Sequence, residues 1–561
     1  MRHLILKSTV AVIVLLGLFC GSQASDSPPV RERVRALIVE RIQGAAASSE
    51  VLCRNEFLCG STLVPRFYRT RKFNPAWIDE AGISIQATAL LEMIRAAHLE
   101  GLTADEYHLA GIESLITEIR KTGDWQRDAH ALADLDLLLT DSFLIYASHL
   151  LAGRVDPETI HSKWLAYTRK ADLVELLQIA LLTKSIGVTL KELRPAHEGY
   201  GMMRNALKRY RDIASRGGWH AIPDGPILQR GDVSFRVVMI RRRLTMMGDL
   251  TKTRQKLTPV FDDTLDRAVR RYQKRHGLKV DGIVGAKTLA QLNMPLTDRI
   301  RALEINLERW RWLPHHLGDR YINVNVAGFN LEVIEGDDAV ISMRVVVGTN
   351  YRRTPLFTSR MTSLVINPYW NIPPTLVEED IYPLVQKNPQ YLAAQKIRIF
   401  SDWSEGAPEV DSTRVDWSRL HKGTFYYKLR QDPGPHNALG RLKFLFPNKF
   451  AVYLHDTPHR QLFKRNKRGF SSGCIRVEKP IALAVYVLNR DAEWTRARIE
   501  SAVNSGQRYV VRLPEAIPVH VLYWTAWVDR DGMVHFRDDI YGRDRLLDAA
   551  LREKPSSRIR P

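Results

Sequence analysis

The sequence predicts a multidomain α+β protein. It has an all-helical amino-terminal region, a small helical module in the middle, and a mostly β carboxyl third carrying a helical insertion. Three observations carry this. The 561 residues exceed what one hydrophobic core organises, so several domains are expected. Apolar residues recur with helical period from Val30 to about Arg216, and in short alternating runs from Tyr321 onward. A hydrophobic content of 45% beside 26% charged residues is that of a folded globular protein.

The chain opens on MRHLILKSTVAVIVLLGLFCGSQASDS, which has the layout of an export signal. Arg2 and Lys7 form a basic start, residues 10–19 an apolar core, and Ser22-Gln23-Ala24 a small-x-small cleavage site. The apolar run is short beside the roughly 20 residues a membrane span needs. Residues 1–24 therefore read as a cleaved signal and the mature protein as extracytoplasmic, an uncleaved membrane anchor being the alternative. Bulky Phe19 before Cys20 argues against a lipid anchor.

Residues 25–222 read as a helical scaffold, in which LADLDLLLTDSFLIYASHLLAGRV and LVELLQIALLT are the most apolar helices. No catalytic cluster appears there. Residues 223–296 form the small module, with helices over 265–276 and 286–292 about a turn punctuated by Gly277, Gly282 and Gly285. A linking helix lies in 297–320. The β region covers 321–515, with a helical capping insertion at 374–423. Residues 516–561 close the chain as a β-hairpin about Asp531-Gly532 and a helix.

The formal charge is +20, or +18 once Arg2 and Lys7 leave with the signal. Such a balance suits a polyanionic partner. Arg267, Arg270, Arg271 and Lys274 even imitate a nucleic-acid-binding helix. Export opposes that reading, and the cell envelope offers another polyanion. Cysteine usage is consistent with export. Cys53 and Cys59, six apart in CRNEFLC, are placed for a local disulfide in an oxidising compartment. Cys474 is left over.

Cys474 stands in YLHDTPHRQLFKRNKRGFSSGCIRV, nineteen residues after His455. An imidazole within reach of a thiol generates the thiolate that attacks a carbonyl. Gly473 permits close backbone approach, and the amides around Gly473 and Cys474 can receive an oxyanion. Arg476 can lower the thiol pKa or grip a carboxylate. Three alternatives stand beside this. Cys474 can be a small buried hydrophobe. His455 and His459 can be metal ligands, although further ligands at the usual spacing are lacking. Ser471 or Ser472 can be the nucleophile, although no G-x-S-x-G elbow is present.

Two resemblances select among these. In the small module the first helix, the turn with Asp281, Gly282, Gly285 and Thr288, and the closing Leu-Asn resemble a peptidoglycan-binding domain. INPYWNIP (366–373), YYKLRQDPGPHNALG (426–440), KFLFPN (443–448), HDTP (455–458) and SSGCIRV (471–477) resemble the L,D-transpeptidase, or YkuD-type, catalytic domain. The whole chain resembles the large Gram-negative cross-linking type, with scaffold, wall-binding and capped catalytic domains. Ser472 departs from the family at large, where histidine is common, and resembles that large type.

The resemblance implies a cysteine acyltransferase. It makes Cys474 the nucleophile, His455 the general base and the Asp456 carbonyl its orienting partner, with Ser472, Gly473 and Cys474 framing the oxyanion site. It places Arg476 and Ser471 on the donor stem, Tyr369 and Trp370 where the substrate channel meets the cap, and Asn437, Gly440 and Lys443 beside that channel. The implied reaction joins tetrapeptide stems 3→3 through a thioester, releases D-alanine and uses no metal or organic cofactor. The thiol is then also expected to be acylated by carbapenems. Peptidoglycan is the implied partner, with other cell-wall synthesis proteins and no nucleic acid, in the periplasm. Water as acceptor would make an L,D-carboxypeptidase, and a protein amine would give wall attachment. A non-catalytic wall-binding scaffold is the remaining alternative.

Overall fold

The computed structural model describes residues 28–44, 52–53, 56–79, 82–122, 127–162, 164, 169–251, 257–417 and 425–553. The expected signal at 1–24, Cys20 and the end of the expected insertion lie outside them. Helix α1 (Val30–Gly44) buries every fourth residue, Val34, Ile38 and Ile42 among them, against α2 (Ala129–Ala152). Helix α2 is long and apolar enough to cross a membrane, yet all of it but His130 is buried among the scaffold helices.

Buried carboxylates on α2 tie the surrounding loops to it. Asp136 accepts from the Ala76 and Trp77 amides at 2.9 and 2.8 Å and from the Tyr68 hydroxyl at 2.6 Å. Asp141 accepts from the Cys59 and Gly60 amides at 2.9 and 2.6 Å and bonds His108 at 2.8 Å. These bonds offset the desolvation that an unpaired carboxylate would suffer. A third acid of this helix, Asp134, joins Asp141 in holding two cysteines apart. Cys53 and Cys59 are not joined in the expected disulfide. The Cys53 thiol bonds the Asp134 carboxylate at 3.2 Å, whereas Asp141 holds the Cys59 backbone. Those two acids lie about two turns, or about 10 Å, apart along the helix.

Helices α3 (Glu198–Ser215), α4 (Asp263–Arg275) and α5 (Leu296–Arg311) connect the scaffold, small module and β region. In the module, buried Gln273 organises the glycine turn. Its amide donates to the Asp281 carboxylate and the Ile283 carbonyl, both at 2.9 Å, and its oxygen accepts from the Asp281 and Gly282 amides at 3.1 and 2.9 Å. The basic face of α4 is largely engaged. Arg270 pairs with Asp266 at 2.7 Å, Arg271 donates to the Asp249 carbonyl at 3.1 Å, and Arg275 Nε bonds the Asp249 carboxylate at 2.6 Å.

Arg275 and Asp249 are both buried. Asp249→Ala strands the guanidinium without its anion and is expected to destabilise the fold by about 3–5 kcal/mol. The double variant Asp249→Ala/Arg275→Leu is expected to recover most of that. Urea melts check both, and a loss under about 1 kcal/mol in the single variant would defeat the argument.

The β region contains a nine-stranded sheet. In chain order its strands, with those of the cap between them, are β1 (Arg320–Asn325), β2 (Asn330–Glu335), β3 (Asp338–Gly348), β4 (Phe357–Ile366), β5 (Trp370–Asn371), β6 (Ile397–Phe400), β7 (Glu409–Val410), β8 (Lys428–Gln431), β9 (Leu442–Leu445), β10 (Leu454–His455), β11 (Gly469–Ser471), β12 (Ile475–Val477) and β13 (Tyr509–Leu522). The central order is β11-β3-β12-β10-β9-β4-β13-β1-β2, and β3 also pairs with β2, so the sheet closes on itself. Its core includes Val324, Leu331, Val345, Leu364, Phe444, Leu454 and Ile475. Strand β13 pairs with both β4 and β1. Residues 516–522, expected in the terminal segment, therefore belong to the central sheet.

The cap differs from the expected helical insertion. Short helices pack with a four-stranded antiparallel sheet, ordered β7-β6-β8-β5, around Ile372, Val377, Val385, Ile399 and Leu429. Strands of two to four residues are too short to produce an alternating signal. After β13, β14 (Ala526–Val528) and β15 (Val534–Phe536) form the expected hairpin, followed by the helix Arg543–Arg552. The hairpin packs on α3 and α5. It also reaches the small module: the Val534 carbonyl accepts from Arg275 at 2.6 Å, and Arg537 donates to the Arg275 carbonyl at 2.6 Å. It braces three parts of the chain.

Candidate active site

Strand β10 lies between β9 and β12. His455 stands opposite Lys443 on one side and Arg476 on the other, and Leu454 stands opposite Ile475. Alternation sends Leu454, Ile475, Phe444 and Val477 into the core. The same alternation brings Tyr453, His455, Cys474, Arg476 and Lys443 to the other face. The contacts agree. The Lys443 ammonium lies 3.9 Å from the Tyr453 ring centre, and the Tyr453 and His455 ring centres are 5.6 Å apart.

Tyr453 stands beside the Cys474 sulfur. Burial pushes the thiol pKa up. Tyr453, then the Lys443 and Arg476 charges, oppose that. His455 is buried, and its Nδ1–H donates to the Asp456 carbonyl at 2.5 Å. A carbonyl only accepts, so the proton sits on Nδ1 and Nε2 keeps its lone pair. Burial first, then the Arg476 charge, hold this histidine down at about 3 against the Asp456 bond. The ring is neutral at physiological pH. Among the described residues the thiol's hydrogen-bond contact is the Ala451 carbonyl at 4.0 Å, and no hydrogen bond joins it to the imidazole. Catalytic hydrogen bonds in substrate-free enzymes commonly tighten only on binding.

Several residues expected at the substrate are internal ties. Ser471 is buried, accepting from the Gly473 amide at 3.2 Å and donating to the Cys474 carbonyl. Asn437 is buried, donating to the Pro368, Gln431 and Asp432 carbonyls at 3.0, 3.3 and 3.1 Å. It staples the two chain crossings at the root of the cap. Gly440 has φ +62, and a Cβ there would lie 2.5 Å from the Asp456 carboxyl carbon. It makes room for Asp456, whose carboxylate accepts from the Arg441 amide at 2.9 Å and pairs with Arg460 at 2.9 Å. Gly473, at φ +117, occupies a conformation that favours glycine beside the thiol.

Tyr369 and Trp370 lie at the root of the cap. Tyr369 is partly exposed under the Arg430 guanidinium, 4.4 Å from its ring centre, and Trp370 pairs with Gln431. Lys443 and Arg476 face the thiol. Among the described residues neither side chain has an acidic partner, and Arg476 Nε is buried without a hydrogen bond. Tyr453 went unread in the sequence, although it stands two residues before His455 and so shares its face by strand period alone.

Residues 319–503 match the model of the L,D-transpeptidase catalytic domain, residues 62–207 that of the Scaffold domain, and residues 236–292 that described as "Putative peptidoglycan binding domain". The chain thus carries a YkuD-type L,D-transpeptidase catalytic domain joined to scaffold and peptidoglycan-binding domains. It is similar to the "Putative L,D-transpeptidase" of Haemophilus influenzae, 37% identical over 249 residues, covering 44% of this chain and 49% of that one. The chain spans about half the length of that relative. It is also similar to the N-acetylmuramoyl-L-alanine amidase CwlM of Mycobacterium tuberculosis, 45% identical over 76 residues, covering 12% of this chain and 19% of that one. Among solved structures, that of the L,D-transpeptidase (residues 123–326) from Xylanimonas cellulosilytica is 15% identical, covering 54% of this chain and 99% of that one, with a TM-score of 0.16.

Proposed function

We propose that this protein is an exported peptidoglycan L,D-transpeptidase that makes 3→3 cross-links through a thioester on Cys474. The observation that carries the reading is the single sheet face on which Cys474, Tyr453, His455, Lys443 and Arg476 meet, within the matched catalytic domain. His455 Nε2 takes the thiol proton, and the thiolate attacks the carbonyl of stem residue three. The C–N bond to terminal D-alanine breaks, and the imidazolium returns the proton to the leaving amine. A low-pKa imidazolium is a strong acid for that step. The side-chain amine of a second stem's diaminopimelate then attacks the thioester, and the thiolate leaves. Gly473 spends its amide on Ser471, so the Cys474 amide and the Tyr453 hydroxyl are the donors for the oxyanion. Lys443 and Arg476, without acids of their own, suit a stem carboxylate.

The test is purified protein on disaccharide-tetrapeptide with mass analysis. The expected result is free D-alanine, an acyl adduct on Cys474 and dimers joined through diaminopimelate. Tripeptide without dimers would replace this reading with an L,D-carboxypeptidase. No adduct and no D-alanine would leave a wall-binding scaffold. Periplasmic fractionation with amino-terminal sequencing tests export, and a mature chain beginning at Ser25 is expected.

A further inference from the structure

Strand β3 ends at Gly348 and β4 begins at Phe357, and the connection between them runs behind the nucleophile loop. Thr354 Oγ1 donates to the Gly473 carbonyl at 2.9 Å and accepts the Gly348 amide at 2.9 Å. The Arg352 amide donates to Thr349 Oγ1 at 3.1 Å. A Cβ on Gly348 would lie 2.0 Å from the Arg352 carbonyl oxygen, so this connection is closely packed.

From this backing the Arg352 side chain reaches two ways. Its Nη1 donates to Ser472 Oγ at 3.0 Å, two residues before the nucleophile. Its two terminal nitrogens grip Asp380 at 2.6 and 2.7 Å, and Nη2 and Nε donate to Glu379 at 2.6 and 3.2 Å. Glu379 and Asp380 belong to the cap, in the π-helical turn Val377–Ile381. Such turns are rare and concentrate at functional places. This one presents two consecutive acids to one guanidinium. Arg352 is 27% exposed and the acids 49% and 45%. An exposed single ion pair is weak, at about 0–1 kcal/mol. A bidentate grip shared by two carboxylates is stronger, yet its exposure leaves it able to open.

We propose that Arg352 is a latch: with Glu379 and Asp380 it holds the cap down beside Cys474 and so decides whether the waiting acyl group goes to an amine or to water. The proposal rests on the Cys474 thioester argued above. Both acceptors attack the same carbonyl, and in both cases the C–S bond breaks and the thiolate departs. The amine loses its proton and yields the cross-link amide. Water loses its proton and yields a tripeptide carboxylate. A closed cap excludes bulk water from the thioester. Arg352 touches neither reacting atom, so its part is positioning.

The test uses the full-length protein and three variants: Arg352→Gln, Arg352→Lys, and the cap-side pair Glu379→Gln/Asp380→Asn, which leaves the nucleophile loop untouched. The ratio of dimer to tripeptide is measured beside the rate of acyl-adduct formation on Cys474. Arg352→Gln and the cap-side pair are expected to shift the ratio toward tripeptide by about tenfold. Arg352→Lys keeps the charge but loses the fork and should fall between. The cap-side pair should acylate within about threefold of the wild-type rate, because it touches only the latch. An unchanged ratio in both variants overturns the latch. A shift with Arg352→Gln alone also overturns it, making Arg352 a support for Ser472 only. Hydrogen exchange of cap amides over 377–400 gives a readout independent of chemistry. Faster exchange in both variants supports the latch even if no thioester forms, in which case the functional reading fails instead. Unchanged exchange in both overturns the latch.

Discussion

Cys474→Ala is expected to abolish D-alanine release and dimer formation, a loss of about 10⁴-fold or more. No neighbouring serine can take over. Ser471 is buried and bonded to the Cys474 carbonyl, and Ser472 accepts from Arg352. The substitution removes only a sulfur atom from a loop fixed by Thr354 and Ser471. The variant should therefore fold with wild-type stability and still bind the donor stem. Intact-mass measurement of the adduct and chromatography of products check this. Turnover above about 1% of wild type, with an adduct elsewhere, would move the chemistry off the thiol.

His455→Gln is the second large effect. Loss of a general base lowers acylation by about 10³-fold at pH 7. The pH profile should also change shape. Burial pushes the Cys474 thiol up, so without its base the variant waits for spontaneous ionisation. Its rate should climb about tenfold per pH unit through the alkaline range. The wild-type imidazole, held down at about 3, stays neutral through the working range, and only acid should remove the base. Stability follows the same linkage. The folded-state pKa lies below the unfolded value of about 6.5, so the contribution of neutral His455 is complete above that pH. It is lost as pH falls toward about 3. Any stability advantage of wild type over His455→Gln should therefore shrink between pH 7 and pH 4 in urea melts. A loss of acylation under about tenfold at pH 7 would remove His455 from the base role.

The chemistry was legible in the sequence to the extent that it is local. His455 ends an apolar strand and Cys474 follows a flexible Gly473, so two short stretches named them. Long-range placement was not legible. Arg352 lies 120 residues before Ser472, and only the closure of the sheet brings the two together. Asn437, Gly440 and Ser471 read as substrate contacts because they crowd the motif. Their hydrogen bonds and close approaches turn inward instead, since a buried loop must satisfy its own carbonyls and amides. The long helices of the scaffold were legible from period alone, but the acids inside α2 were not. A buried carboxylate announces itself only through the amides that reach it, as those of Ala76 and Trp77 reach Asp136. Two further acids of that helix hold Cys53 and Cys59 at different points, Asp134 through the Cys53 thiol and Asp141 through the Cys59 amide.

The two-sided layout of β10 has a consequence for how this site can change over generations. Its side chains alternate between the apolar interior and the reactive face, Leu454 inward and Tyr453 and His455 outward. Exchanging one side chain alters one side of the strand. Inserting a single residue between Tyr453 and Leu454 would transpose the two sides, turning the imidazole into hydrocarbon and a leucine toward the thiol. Divergence here can therefore proceed by substitution, while changes of length are confined to the loops on either side.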